Sequence, residues 1–238
     1  VVVAEKCPIN KPVLVTSCEQ FINRFGSYIN ESYLAYAARA FFDNGGSVLY
    51  VTRIAHLTDS TDRDTLTALK SSIVLQNREA TPADALRIEA VNEGVWGDRL
   101  SISIEDGSLD PANHFNLVVR HKGDVVEVFK DLSMDETLPN HVELAINDRS
   151  DFILVQDLAA VSGTPGDRPA LGVFTLTGGD NGLTDLADAD FIGDPSQHTG
   201  LYGFDEIDAL NLLMVPGVTT VPVINAGIAY AEGRKDLL

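Results

Sequence analysis

Cysteine is nearly missing. Cys7 and Cys18 are the whole complement in 238 residues, too few for a disulfide framework and too isolated for a structural zinc site, so two free, partly buried thiols are expected. Basic residues are scarce as well. With 17 Lys and Arg against 35 Asp and Glu, the formal net charge is -18, and no run of Lys or Arg is long enough to track a phosphate backbone. Nucleic acid is therefore a poor partner, and the acidity reads as solubility through mutual repulsion. No stretch approaches the roughly 18 consecutive apolar residues that span a bilayer, and the VVVAE start lacks the basic region and long apolar run of a signal peptide. A cytoplasmic chain with no membrane partner is expected, and its start at Val1 rather than at a methionine points to a fragment.

Catalytic signatures are equally thin. His56, His114, His121, His141 and His198 lie in separate segments without HxxxH or HExxH spacing, so they are expected on the surface or in hairpins. There is no GxSxG elbow, and neither cysteine has a catalytic context. Carboxylate neighbours such as Glu105 with Asp106, or Asp135 with Glu136, follow from the abundance of acids. Pairing for catalysis needs environments that separate their pKa values, which a sequence does not display. No catalytic, cofactor-binding or metal-binding residue is assigned.

What is present is a run of apolar elements. KPVLVTS reads as a strand, and CEQFINRFG as a short helix capped by Ser17 with Gln20 three positions on. In ESYLAYAARAFFDNGG, residues Leu34, Ala37, Ala38, Phe41 and Phe42 recur at helical spacing. SVLYVTRIA has the continuous apolar run of a strand covered on both faces. TLTALKSSIVL is compatible with one helix lacking a strong face. From about residue 84, LRIEAV, RLSISIED, FNLVVRHKG, DVVEVFK and FILVQDL are short β segments divided by turns, with LPNHVELAIND as a short helical interruption. Beyond residue 171, LGVFTLTGG and ALNLLMVPG return to apolar strands. VPVINAGIAYAEGRKDLL forms a last helix with Val223, Ile224, Gly227, Ile228 and Ala231 as its inner face and glycines for close packing. The fold class expected is α/β or α+β: an α/β core over residues 1–83 plus 168–238, interrupted at 84–167 by an inserted, mostly antiparallel β domain, barrel or sandwich.

Two glycine clusters invite a phosphate reading. Gly45 and Gly46 follow a helix, whereas a phosphate loop opens one, so they are expected to terminate it with Asn44. TLTGGDNGLTD, residues 175–185, does follow a strand, but it lacks the Lys-Ser or Lys-Thr pair and the GxGxxG spacing. Its acids Asp180 and Asp185, with Asp188, Asp190 and Asp194 beyond, lack EF-hand spacing and read as a solvated loop. A hydrolase or nucleotide-binding enzyme built on the 175–194 loop is the runner-up. Trp96, between Val95 and Gly97, is expected to anchor a turn by burial; a carbohydrate-binding β module using it is a third reading.

Taken in order, four stretches resemble the contractile tail sheath proteins of bacteriophages and related tail-like particles. FFDNGGSVLYVTRI is similar to that family's FF-x-NGG strand entry, EAVNEGVWGDRLSISIED to its PG-x-WGN turn, and LTGGDNG to its GG-DG loop. LNLLMVPGVTTVPVINAGIAYAEGRKD is similar to its strand, Pro-Gly turn and final helix ending in YCExRxD. Ala231 stands where the family often has Cys, and Asn92-Glu93-Gly94 replaces its Pro-Gly. The resemblance implies a structural subunit without a catalytic site. Copies would assemble helically around a tail tube and contract to drive the tube through the host envelope for genome ejection, with self, tail tube and baseplate as partners. It implies a place in the virion tail sheath and, during assembly, in the host cytoplasm. It also implies that this chain is a core fragment without the strand-exchanging terminal arms, and monomeric by itself.

Overall fold

The computed structural model describes residues 1–158, 167–208, 210–234 and 236–237. The fold is α+β, with five α-helices and nine strands among the described residues, in three antiparallel sheets, none closed into a barrel. The chain divides into two units, one of residues 1–69 with 180–238 and one of residues 70–179. The break thus falls at 70 and 179 rather than at 84 and 167. Residues 159–166, beside the second expected boundary, lie outside the described ones.

In the first unit, β1 (Pro12–Val15) pairs antiparallel with β2 (Leu49–Thr52), from Pro12 opposite Thr52 to Val15 opposite Leu49. Between them come α1 (Cys18–Phe25) and α2 (Leu34–Asp43). The Ser17 hydroxyl accepts the Gln20 N–H at 3.1 Å, and the Gln20 side chain reaches back to the Thr16 N–H at 2.9 Å, so the expected reciprocal cap forms one residue upstream of its usual place. Phe21 and Phe25 of α1 stack 5.4 Å apart and are buried with Leu34, Ala35 and Ala38 of α2.

The unit is completed by α4 (Asp188–Ile192), a 3-10 turn at Gly200–Phe204, and α5 (Val221–Arg234). The expected inner face of α5 needs correction. Val223 and Tyr230 are buried, whereas Ile224 is 47% and Ile228 53% exposed, and a side chain at Gly227 would come no nearer than 4.0 Å to Leu213. The glycines of this helix are therefore not sites of close packing. Residues 210–216 form no ladder in place of the expected ALNLLMVPG strand, whose first residue, 209, lies outside the described ones.

The second unit packs a three-stranded sheet and a four-stranded sheet around one continuous core. The first sheet is β3 (Ser72–Gln76), β4 (Asp84–Ala90) and β8 (Ile153–Asp157). The second runs in the order β7 (Asp124–Leu132), β6 (Phe115–His121), β5 (Leu100–Asp106) and β9 (Gly172–Thr175). Alternate residues point inward, as a strand of period two demands: Leu86, Ile88 and Ala90 from β4 meet Leu100, Ile102 and Ile104 from β5. This is the sandwich alternative of the expectation, not the barrel.

Two further expectations fail here. The helix allowed over 65–75 is replaced by β3, since Ile73 and Val74 favour a strand and β4 offers a partner edge from Ser72 opposite Glu89 onward. LGVFT, expected in the α/β core, pairs with β5 as β9. These two ladders are what move the unit boundaries outward. Between β7 and β8 lies the short α3 (Val142–Ile146). The β6–β7 hairpin turns on Lys122 and Gly123, both with positive φ, as a two-residue turn matched to strand twist requires.

Candidate functional site

Gly45 takes φ +89, its N–H bonds the Phe42 carbonyl at 3.0 Å, and the Gly46 N–H bonds the Phe41 carbonyl at 2.9 Å. These amides close the last turn of α2, and a Cβ at Gly46 would collide with the Phe41 ring at 2.4 Å. Both glycines therefore serve the helix end, and their N–H groups point into it rather than outward to an anion.

The 175–194 stretch is shared between the units. In the second unit, the Asp98 carboxylate accepts the Gly179 N–H at 3.0 Å and the Ser71 hydroxyl at 2.7 Å. A side chain at Gly179 would strike the Gly94 carbonyl oxygen at 2.4 Å. Trp96 sits in the 3-10 turn Val95–Arg99, 1% exposed, with its indole N–H on the Glu93 carbonyl at 3.2 Å. This tryptophan anchors a turn from inside the β core and presents no sugar-stacking face.

In the first unit the acids of the stretch serve separate local bonds. Asp180 accepts the Gly182 N–H at 2.7 Å, Asp188 the Thr220 hydroxyl at 2.7 Å, and Asp194 the Ser196 N–H at 2.7 Å. The Ser196 hydroxyl holds the Asp194 carboxyl below the usual carboxylate range. Asp185 adopts φ +61. Asp190 is buried and accepts three donors: the Leu57 N–H at 3.0 Å, the Ala187 N–H at 2.9 Å and His56 Nδ1 at 3.0 Å. Such an arrangement fixes loops. It gives no support to the hydrolase or nucleotide-binding reading, and among the described residues no group of three or more His, Cys, Asp or Glu is placed to hold a metal.

Of the histidines expected on the surface or in hairpins, His198 is exposed and His121 stands at the β6–β7 hairpin, whereas two depart from that placement. His141 is buried and meets Asp157 at 3.1 Å, and His56 is half-buried on Asp190. His121 ends β6 with its ring edge-on to Trp96, 6.2 Å between centroids. His198 stands 3.9 Å from Asp205, and the His114 carbonyl accepts the Gly107 N–H at 3.0 Å. Asp106 pairs with Arg78 at 2.6 Å and Arg168 at 3.4 Å, while Glu105 accepts the Ser103 hydroxyl at 3.3 Å. Both cysteines are free; Cys7 is buried, and burial pushes its thiol up to about 12.

A polar hub that the residue pattern alone did not reveal sits at the end of α5. Arg234 grips Asp236 with two nitrogens at 3.0 and 2.9 Å, donates to the Phe204 carbonyl at 2.7 Å, and also reaches the Ile207 carbonyl. Tyr230 gives its hydroxyl to Asp205 at 2.8 Å and meets Tyr202 edge-on. Hydrogen bonding from Arg234 holds the Asp236 carboxyl down at about 2, and burial lifts the Tyr230 hydroxyl to about 12. In sequence the only signal was Y-x-E-x-R-x-D, noticed through family likeness rather than chemistry.

The remaining feature of note in the first unit is apolar. A groove of about 570 Å³ is lined by Val1 and Val2, by β2 from Leu49 to Val51, by Leu34, Ala38 and Phe41 of α2, and by the unladdered segment 210–214. A second groove, about 290 Å³, lies between Leu213, Val215 and Val218 on one side and the outward Ile224 and Ile228 of α5 on the other. Leu213 borders both.

No family model and no curated protein matches the chain. Solved structures do. A sheath tail protein of Listeria innocua superposes with a TM-score of 0.63 at 12% identity, over 99% of this chain and 44% of that one. A sheath tail protein of Desulfitobacterium hafniense gives 0.56 at 12% identity, over 99% and 45%. The fold is thus similar to that of sheath tail proteins, and the chain spans less than half the length of either.

Proposed function

We infer that the chain is part of a structural subunit of a contractile tail sheath. One observation carries this reading: a fold shared over 99% of the chain with a sheath tail protein. The four ordered sequence stretches support it. So does the use of the glycine corners for helix ends and turn packing, which suits a building block more than a catalyst. In this reading copies assemble helically around a tail tube anchored on a baseplate. Contraction then draws its work from the free-energy difference between two lattices. The 238-residue chain by itself is monomeric in solution.

An antibody raised against the chain, applied to particles from the cells that encode it, is expected to decorate tails at regular intervals along their length under the electron microscope. Tails left bare, or label confined to one end, overturn the reading. Light scattering of the purified chain tests the monomer: helical polymers would contradict it.

A further inference from the structure

We propose that the outer face of the four-stranded sheet in the second unit is a contact surface for a second copy of this chain, which meets it with an acidic surface and not with the same face. The proposal does not rest on the sheath reading.

The face follows from register. Leu100, Ile102 and Ile104 of β5 belong to the core, so Ser101 and Ser103 point outward. Ser103 stands opposite Val173 of β9 and Val118 of β6, and Val118 stands opposite Val128 of β7. One row therefore crosses all four strands as Val173, Ser103, Val118, Val128. By the same pairings the next row reads Thr175, Ser101, Arg120, Val125. Val118, in the middle, is 8% exposed, whereas Val173, Val125 and Val128 are 69%, 54% and 48% exposed. Three valines are left to water on one flat face, an apolar patch that contact with another surface would cover.

Charge decides what can cover it. The chain holds 35 acids against 17 bases, yet neither row contains an acid, and the one charge within them is Arg120. Its side chain meets no hydrogen-bond or ion-pair partner among the described residues. Glu105, the next outward residue of β5, turns to the Ser103 hydroxyl at 3.3 Å. Lys122 in the β6–β7 turn and Lys130 of β7 are exposed cations beside the rows. A basic, apolar face on a chain of net charge -18 complements the rest of that chain's own surface. At physiological salt the screening length is roughly 8 Å, so charges in contact outweigh the distant net repulsion between copies.

The same charge opposes pairing of the face with itself. A two-fold contact would set Arg120 of each copy against the same basic rows, with no acid in either row to separate them. The contact is heterologous instead, with the face on one copy and an acid-bearing surface on the next. It is also small. Two rows over four strands cover roughly 300 Å² per copy, against about 800 Å² per partner in a standard interface. Free copies therefore meet only transiently, in keeping with a monomeric chain at ordinary concentration, and the contact gains strength where many copies are held side by side.

The test is magnetic resonance of the isotope-labelled chain, diluted from millimolar to micromolar concentration at physiological salt. Amide and methyl signals of Val118, Val125, Val128 and Val173 are expected to shift with concentration, together with signals from an acidic patch outside the face. Arg120→Glu and Val173→Asp should each weaken that dependence about tenfold or more. Arg87→Glu makes the same change of charge on the other sheet and should leave it in place. An unchanged Trp96 unfolding midpoint shows that each variant is folded, and either face variant alone suffices. No concentration dependence at the face overturns the proposal. So does an equal loss in Arg87→Glu, which would reduce the effect to net charge. A shift map confined to the two rows also overturns it, since the face would then be meeting itself.

Discussion

The two units handle their apolar strands in opposite ways. In residues 70–179 each strand has a laddered neighbour and the buried side chains form one continuous cluster. In the other unit, a two-stranded sheet and several short helices divide the buried residues among three clusters. That unit also leaves the β2 edge, the 210–216 segment and the outer face of α5 uncovered. The edge β7 of the complete unit carries bulges opposite β6 and charged residues such as Glu127 and Lys130, both of which discourage further pairing. One unit pairs its strands over a single core, and the other leaves apolar surface uncovered.

The comparison predicts different responses to damage. Truncating Phe115, fully buried in the β core, to Ala should cost about 3–5 kcal/mol, the largest single effect. Trp96 is the one tryptophan, so its fluorescence follows the β unit alone and should report an earlier denaturant midpoint in that variant. An unchanged tryptophan transition would mean that the cluster is not a cooperative core.

Arg234→Ala removes donors to Asp236 and to two backbone carbonyls, and should cost about 2–4 kcal/mol. The loss should register in near-ultraviolet tyrosine signals of the first unit and leave the Trp96 midpoint in place. Arg234→Lys should not restore it, because an ammonium lacks the planar fork that the carboxylate and carbonyls meet. Movement of the Trp96 midpoint would instead show that the two units unfold together.

Asp190→Ala leaves the Leu57 and Ala187 N–H groups without their acceptor, for a loss of about 1–3 kcal/mol and faster exchange at those two amides. The smallest effect concerns pH. Asp236 is held at about 2 against an ordinary 3.8, so its contribution is complete above 3.8 and lost as pH falls toward 2. An acid titration of Asp236→Asn should lack that step; an identical profile would sink the assignment.

Legibility in the sequence followed the range of the interactions. Ser17, the α2 stripe and the Asn44-Gly45-Gly46 terminus were readable because capping and helix ends depend on neighbours within about four residues. The β segments of 84–157 were readable from alternation. What misled was local ambiguity. TLTALKSSIVL has residues compatible with either state, and only the β4 edge decides for a strand. Ile224 and Ile228 obey helical spacing yet face outward, since periodicity shows that a face is apolar and not what covers it. The grip of Arg234 on Phe204 and Ile207 spans about thirty residues and left no local trace.

By itself the sequence determined the acidic surface, the free thiols, the element types over most of the chain and the two-part α+β division, because these depend on composition and short-range pattern. The tertiary structure alone decided that 72–76 and 172–175 belong to the β unit, that His141 and Asp190 are buried in polar contacts, and that Val1, β2 and the 210–214 segment line one apolar groove. Each of those rests on which distant segment supplies the partner edge or donor, a choice made by ladder closure and burial and not by the residues at the site.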